Sequence, residues 1–465
     1  MDSRVQRFFD EIKGKKIAVI GIGVSHSDLI SRLRDRGAKV TACDKRTREQ
    51  LGDAICNNFE AQDIQLKLGP DYLENIDADI VLRTPGMKFH QPVLDEMRKN
   101  GVVVTSEMEL FFDLCPCRTI AVTGSDGKTT TTTLIAEILK EGGHRVHLGG
   151  NIGRPLMPIV QDIRENDFAV AELSSFQLIS MRKSPDIAVI TNITPNHLDI
   201  HKDMQEYVDA KLNIIRHQGA FSRTVLGVDN ELAASLTEEA RGQMFEFSVK
   251  HPVRSGAYLG EDGIIYMSVN GQKTKIMRAD EIKLPGMHNV ENYLAAICAV
   301  WGYVDIEAIY NVAVEFGGVE HRIELVRELH GVKWYNDSIA TTPTRTIAGL
   351  DSFDQKLIII AGGYDKKLSF EPLVPKLMEK VRLLILTGPT ADKIEAAVKG
   401  YEQYDSAQLK IMRATDLVDA VNKAHEASKP GDVVSLSPAC ASFDAYPNFE
   451  ARGYHYKELV KALEG

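Results

Sequence analysis

TIAVTGSDGKTTTTTLIAEILKEGG, residues 119–143, runs from an apolar strand through a glycine turn into a helical stretch that closes on Gly142-Gly143. A strand before and a helix after is the context in which GSDGKTT (124–130) reads as a phosphate loop. Gly124 and Gly127 let backbone N–H groups turn inward around phosphate oxygens, with Ser125 and Asp126 completing the turn, and the helix N-terminus adds positive dipole. Lys128 is expected to span the β- and γ-phosphates, and Thr129, followed by Thr130, to offer a hydroxyl to magnesium. Thr123 to Lys128 reads TGSDGK, shorter than GxxxxGK at its start, which points to a subset of phosphate-loop enzymes.

On the N-terminal side, KIAVIGIG (16–23), a helix-like stretch and KVTACD open a β-turn-α-β pattern that ADIVLRTPG (78–86) and VVVTSEMEL (102–110) continue. On the C-terminal side, DFAVAEL, DIAVITNIT and TVLGVDN read as buried strands separated by helices. From 256 to 278 the pattern shortens and carries an Asn270-Gly271 hairpin signal, predicting a small antiparallel insertion. Strands recur at VKWYND, KLIIIAGG, LLILTG and DVVSLSP. The predicted fold is α/β with three domains: a Rossmann-like nucleotide-binding domain over 1–107, a central P-loop domain over 108–318, and a Rossmann-like domain over 319–465.

A chain of 465 residues suits several domains, and 44% hydrophobic with 26% charged residues suits an ordinary globular protein. Its net charge of −10 opposes a nucleic-acid role, which needs a basic face to displace counterions. With no signal-peptide pattern and no apolar run of membrane-spanning length, a cytoplasmic monomer is expected. Six scattered cysteines, Cys115-Pro-Cys117 included, are read as free thiols without a metal.

Two further strand ends carry chemistry. AELSSFQL (171–178) puts Glu172 where a buried carboxylate costs several kcal/mol unless paired, so a magnesium ligand fits. ITNITPNHLDIH (190–201) puts His197 at the edge where α/β sheets hold ligands. GIGVSHSDL (21–29) begins like a dinucleotide fingerprint, with Asp44 where an acid would hold a ribose, but Ser25-His26-Ser27 replaces the third glycine.

TGSDGKTT, AELSSFQL, NHLDIH, EYVDAKLNI (206–214), GMHNVENYLAA (286–296) and EHRIE (320–324), in this order, resemble the Mur ligase family of peptidoglycan synthesis. NDSIATTPTRT (336–346), AGGYDKK (361–367) and LSPACASFDAYPNFEARG (436–453) look like its D-glutamate-adding branch, so the resemblance spans the chain. It implies ATP-dependent addition of D-glutamate to UDP-N-acetylmuramoyl-L-alanine through an acyl phosphate, with magnesium, two ions in all, held by Thr129, Glu172, His197 and Lys211. Lys211 matches a lysine that the family carries as a CO2-derived carbamate, which turns a cation of pKa about 10.4 into an oxygen-bearing anion suited to magnesium. His197 has a second reading, as the base for the incoming amine.

By the same resemblance, His288, Asn289 and Asn292, sharing one helix face, contact adenine, and Arg322 and Asp337 meet the nucleotide from the third domain across a hinge near 318. Ser25, Asp44, Lys45, Arg46 and Gly86 are assigned to the uridine nucleotide, Lys45-Arg46 being equally a solvated basic pair, and Asn151 to the path of the alanyl end. Thr341, Lys366, Ser442 and Phe449 match D-glutamate positions, with Lys367 a rival anchor. Ile339 stands where many relatives have lysine. Competing readings are a folylpolyglutamate synthase-like ligase, opposed by the domain before the P-loop; a non-catalytic nucleotide-binding scaffold; and an NAD(P) oxidoreductase, resting on GIG alone.

Overall fold

A computed structural model describes residues 3–195, 201–366 and 368–464. The chain forms two compact units, Met1–Phe316 and Gly317–Gly465.

The first unit carries two sheets. β1 (Lys16–Ile20), β2 (Lys39–Asp44), β3 (Gln65–Leu68), β4 (Ile80–Arg83) and β5 (Val103–Ser106) pair in parallel in the order β3-β2-β1-β4-β5. The order reverses beside β1, so Gly21–Gly23 and Asp44 fall at the crevice where such sheets bind ligands. The second sheet has nine strands: β6 (Arg118–Thr123), β7 (Val146–Gly150), β8 (Phe168–Glu172), β9 (Ile187–Ile190), β10 (Arg223–Gly227), β11 (Gln243–Ser248), β12 (Gly256–Leu259), β13 (Ile264–Val269) and β14 (Gln272–Arg278). Their order is β14-β13-β12-β11-β10-β9-β6-β8-β7.

Residues 256–278 form the predicted antiparallel segment, β12 pairing with β13 and β13 with β14. β12 also pairs in parallel with β11, so the segment is the edge of the central sheet. The hairpin signal itself holds, since Asn270 (φ 52°) and Gly271 (φ 87°) both adopt the left-handed turn between β13 and β14.

The P-loop helix, Lys128–Glu141, begins KTTTTT, five β-branched residues with low helix propensity. Two hydroxyls turn back on the helix, Thr132 to the Lys128 carbonyl at 2.7 Å and Thr133 to that of Thr129 at 2.8 Å. Packing supplies what propensity lacks: Leu134, Ile135, Ile138 and Leu139 are fully buried, at about 1.5–3 kcal/mol for each side chain removed from water. A second apolar core continues from Phe9 and Leu33 beside the first sheet to Leu156, Ile190 and Ile215 beside the second.

In the second unit, β15 (Glu324–Leu329), β16 (Val332–Asn336), β17 (Leu357–Ala361), β18 (Val381–Leu386), β19 (Lys410–Arg413) and β20 (Val433–Leu436) pair in the order β15-β16-β20-β17-β18-β19. β15 is antiparallel to β16 and the rest are parallel. Among the described residues, no helix is long and apolar enough to cross a membrane.

Candidate active site

β6, β8 and β9 are adjacent and parallel, so one sheet edge receives the ends of all three. Register sets Glu172 opposite Val122 and Gly150, beside the start of the phosphate loop. Both loop glycines are required. Gly124 has φ 150° and a Cβ there would lie 1.9 Å from Thr191 Oγ1; Gly127 has φ 77° and a Cβ there would lie 2.3 Å from Asn292 Oδ1. Ser125 donates to the Thr194 carbonyl at 2.9 Å, and the exposed Asp126 donates its N–H to Asn192 Oδ1 at 2.9 Å, tying the loop to the chain after β9. Lys128 Nζ donates to the carbonyls of Gly124 (3.0 Å) and Ser125 (2.8 Å), while Thr130 lies half-buried in the first helical turn.

Glu172, buried at 2% exposure, accepts from Thr129 Oγ1 and from Asn151 Nδ2, each at 2.7 Å. A buried carboxyl beside a hydroxyl at a helix N-terminus is an oxygen donor set of the kind hard divalent cations take. Among the described residues, no three His, Cys, Asp or Glu side chains cluster as a complete metal cage. His197 lies outside the described residues.

Lys211 lies on the helix Met204–Arg216, whose cap Asp203 accepts from the Glu206 N–H at 2.9 Å. Tyr207, Ala210, Lys211, Ile214 and Ile215 share helical spacing and are all buried, so the lysine occupies a core stripe. Its amine donates to the Gly124 carbonyl at 2.7 Å and to Thr123 Oγ1 at 3.3 Å, and lies 4.7 Å from the Tyr207 ring centroid. Burial, aided by the nearby Lys128 charge and opposed by Asp126 and Glu172, lowers its pKa to about 7. A substantial neutral fraction at physiological pH makes this amine nucleophilic where an ordinary lysine is not.

On the helix Met287–Val300, Asn292 donates to Asn289 Oδ1 at 3.2 Å and accepts from Thr131 at 3.1 Å, while Asn289 donates to the Pro285 carbonyl at 2.6 Å. His288 does not share their buried face. It is exposed, against Gly286, because a step of one residue turns a helix by about 100°.

At the first sheet, Asp44 accepts from the Ile22 N–H at 2.7 Å and from Arg46 Nη2 at 2.8 Å. Burial works to raise its pKa, but the hydrogen bonds from Arg46 and Ile22 outweigh it and hold the carboxyl below the usual range. Arg46 is thereby bound to Asp44, whereas Lys45 is exposed. Ser25 falls in the helix Val24–Asp35, and its side chain lies outside the described residues. Gly86 lines a cleft of about 210 Å³ with Phe89, His90, Phe176, His201 and Glu206. Buried Arg83 fixes one wall by donating to the carbonyls of Met87 (2.9 Å) and Phe176 (3.2 Å) and to Ser180 Oγ (3.0 Å). Neither Arg83 nor His201, stacked on Phe176 with 5.1 Å between ring centroids, was singled out by its motif.

In the second unit, Asp337 is buried and accepts from Ser437 at 2.8 Å. Burial pushes its pKa up to about 7, against the hydrogen bond from Ser437 and the charges of Arg322 and Arg345. Lys366 donates to Thr341 Oγ1 at 3.3 Å. The loop bearing Lys366 is joined to the one bearing buried Ser442 by the Tyr364 N–H on the Ala441 carbonyl at 2.9 Å. The Phe449 carbonyl accepts from Ser338 at 2.8 Å, and buried Arg452 clamps the carbonyls of Ser338, Cys440 and Ala441. Lys367 lies outside the described residues. Arg345 was missed: its guanidinium donates to the Ile339 carbonyl at 3.3 Å, and its charge helps lower the pKa of Lys366, after burial. Its signal was the Thr342-Pro343 helix start, which aims the first turn at this loop.

A phosphate loop beside a buried carboxyl and a buried lysine, with a Rossmann-type sheet before it and a second α/β unit after it, defines a multidomain nucleotide-using α/β protein. Residues 122–300 match the Mur ligase middle domain and residues 321–440 match "Mur ligase, glutamate ligase domain". The chain is 50% identical over 467 residues to a UDP-N-acetylmuramoylalanine--D-glutamate ligase of Acetivibrio thermocellus and 48% identical over 464 residues to one of Clostridium botulinum, each alignment covering 100% of both proteins. The chain belongs to the Mur ligase family. Its fold is the three-domain α/β fold of solved members such as the UDP-N-acetylmuramate-alanine ligase of Thermotoga maritima, with TM-score 0.55 and 20% identity over 96% of this chain and 99% of that one. A murein peptide ligase of Psychrobacter arcticus gives TM-score 0.51 and 18% identity over 97% and 100%.

Proposed function

We infer that this chain is an ATP-dependent amide ligase that adds D-glutamate to UDP-N-acetylmuramoyl-L-alanine in peptidoglycan precursor synthesis. The observation that carries this is full-length identity of 46–50% with relatives bearing the D-glutamate ligase name. The substrate carboxylate attacks the γ-phosphate of ATP, giving an acyl phosphate and ADP, and the amine of D-glutamate then displaces phosphate. Such transfer depends on positioning and charge neutralisation, so the enzyme needs no covalent nucleophile.

The loop N–H groups and Lys128 hold the phosphates. Thr129 and Glu172, with His197 and a carbamate on Lys211, would hold magnesium, which supplies charge neutralisation at the transferring group. The buried amine of Lys211 supports this assignment, because its neutral fraction is the form that adds CO2. Asn151 aligns Glu172. Asn289 and Asn292 are assigned to the adenine side together with His288, and Arg322 and Asp337 to the nucleotide. Residues 1–107 are assigned to the UDP moiety through Ser25, Asp44, Lys45, Arg46 and Gly86, with Arg46 acting on Asp44 rather than directly. Residues 108–318 are assigned to ATP, and 319–465 to D-glutamate through Thr341, Lys366, Ser442 and Phe449.

The test is phosphate release from ATP and magnesium with UDP-N-acetylmuramoyl-L-alanine and, separately, D-glutamate, L-lysine and meso-diaminopimelate. Release that depends on D-glutamate is expected. No release with any of the three would overturn the ligase assignment, and release with another amino acid would overturn the specificity.

A further inference from the structure

Cys115 and Cys117 flank Pro116 where the helix Glu107–Leu114 ends and β6 begins. Their sulfurs are 3.5 Å apart and share a hydrogen bond. All six cysteines are reduced and buried, these two at 5% and 6% exposure. Pro116, between the two, lines an open cleft of about 740 Å³ with Arg145, Gln161 and Arg164. A disulfide needs the sulfurs to close from 3.5 Å to about 2.05 Å.

We propose that Cys115 and Cys117 form a peroxide-reactive dithiol, a site of reversible covalent modification that takes hydrogen peroxide or a small organic hydroperoxide. The Cys115 thiolate attacks the peroxide, forming S–O, breaking O–O and releasing hydroxide, which leaves Cys115 as a sulfenic acid. The sulfur of Cys117 then attacks Cys115, forming S–S and breaking S–O, and its proton leaves with the departing hydroxide as water. Two thiols are oxidised to one disulfide, and hydrogen peroxide is reduced to two waters.

The roles are not interchangeable. The hydrogen bond shared with Cys117, aided by the Arg4 charge, lowers the Cys115 pKa against burial, while the same contact and burial raise that of Cys117. Of the two, Cys115 is the better placed to attack as thiolate and Cys117 to resolve it. With one residue between the partners the disulfide closes a small, strained ring, the kind that thiols reduce readily. This chemistry is independent of the assigned ligase reaction.

Reduced full-length protein is treated with hydrogen peroxide, unfolded, blocked with iodoacetamide and digested with trypsin, which releases the peptide Asn100–Arg118. The expected product is that peptide unalkylated and two hydrogens lighter, returning to a doubly alkylated form if dithiothreitol precedes blocking. With Cys117→Ser, dimedone should instead trap a sulfenic acid at Cys115. Full alkylation of both cysteines after peroxide, conversion of either to sulfinic acid without a disulfide, or pairing with another cysteine would overturn the proposal. The wild-type result decides the matter even if the serine variant fails to fold.

Discussion

Lys211 is the residue whose chemistry depends most on where the fold puts it. Sequence offered only a lysine on a helix, and resemblance alone supplied a role; the buried stripe Tyr207–Ala210–Lys211–Ile214 explains why its amine differs from a surface one. Lys211→Ala should therefore lower the rate of phosphate release about a hundredfold or more, and short carboxylates added to the assay should restore part of it. Wild-type enzyme in CO2-depleted buffer should regain rate when bicarbonate is added. Full activity of the unrescued variant would remove the carbamate from the mechanism. Arg345 marks the opposite limit of legibility, because a first-turn arginine on an exposed helix start looks like any solvated charge until its bond to Ile339 and its proximity to Lys366 are seen. A dicarboxylate substrate needs more than one cation, so Arg345→Ala should raise the KM for D-glutamate about tenfold or more while leaving that for ATP unchanged. An unaltered KM for D-glutamate would show that Arg345 serves the loop and not the substrate.

Elements were legible where a local pattern decided them and not where a distant partner did. The strand–loop–helix at 119–143 carries its own instructions: a buried run ends at Thr123, glycines turn the chain, and the helix closes at Gly142. Likewise, the Asn270-Gly271 turn was legible from two residues. The parallel pairing by which β12 joins the antiparallel segment to β11 was not, since pairing across a sheet is set by contacts remote in sequence. Helix phase separates Asn289 and Asn292, which meet across three residues on the buried face, from His288, which one residue's rotation leaves exposed against Gly286. Gly127→Ala tests the loop as an element. Its Cβ would meet Asn292 Oδ1 at 2.3 Å in a backbone at φ 77°, so both packing and conformation oppose it. ATP-dependent phosphate release should fall at least tenfold, with the far-ultraviolet circular dichroism preserved because the helix beyond is held by its buried aliphatic face. Wild-type turnover in this variant would mean that the loop does not grip phosphate through that backbone.

At the scale of the whole molecule, the two compact units carry buried ionisable groups of opposite sign in their pH response. For Asp337 the folded value is about 7, and the unfolded one is about 3.9. Between them the folded chain holds a proton that the unfolded chain has lost, so this group's contribution falls as pH rises from about 4 to 7 and its full penalty stands above that window. For Lys211 the folded value is about 7, against about 10.4 unfolded. There the unfolded chain holds the extra proton, so the penalty is complete below pH about 7 and is relieved as pH climbs toward 10. Scanning calorimetry at pH 5, 7 and 9 should resolve two heat-absorption peaks. Asp337→Asn should raise only the one belonging to residues 317–465, with a gain larger at pH 7 and 9 than at pH 5. Lys211→Met, measured without CO2, should raise only the other, with a gain that shrinks between pH 7 and 9. A single peak that moves as one body with either substitution would mean that the two units unfold as one cooperative block.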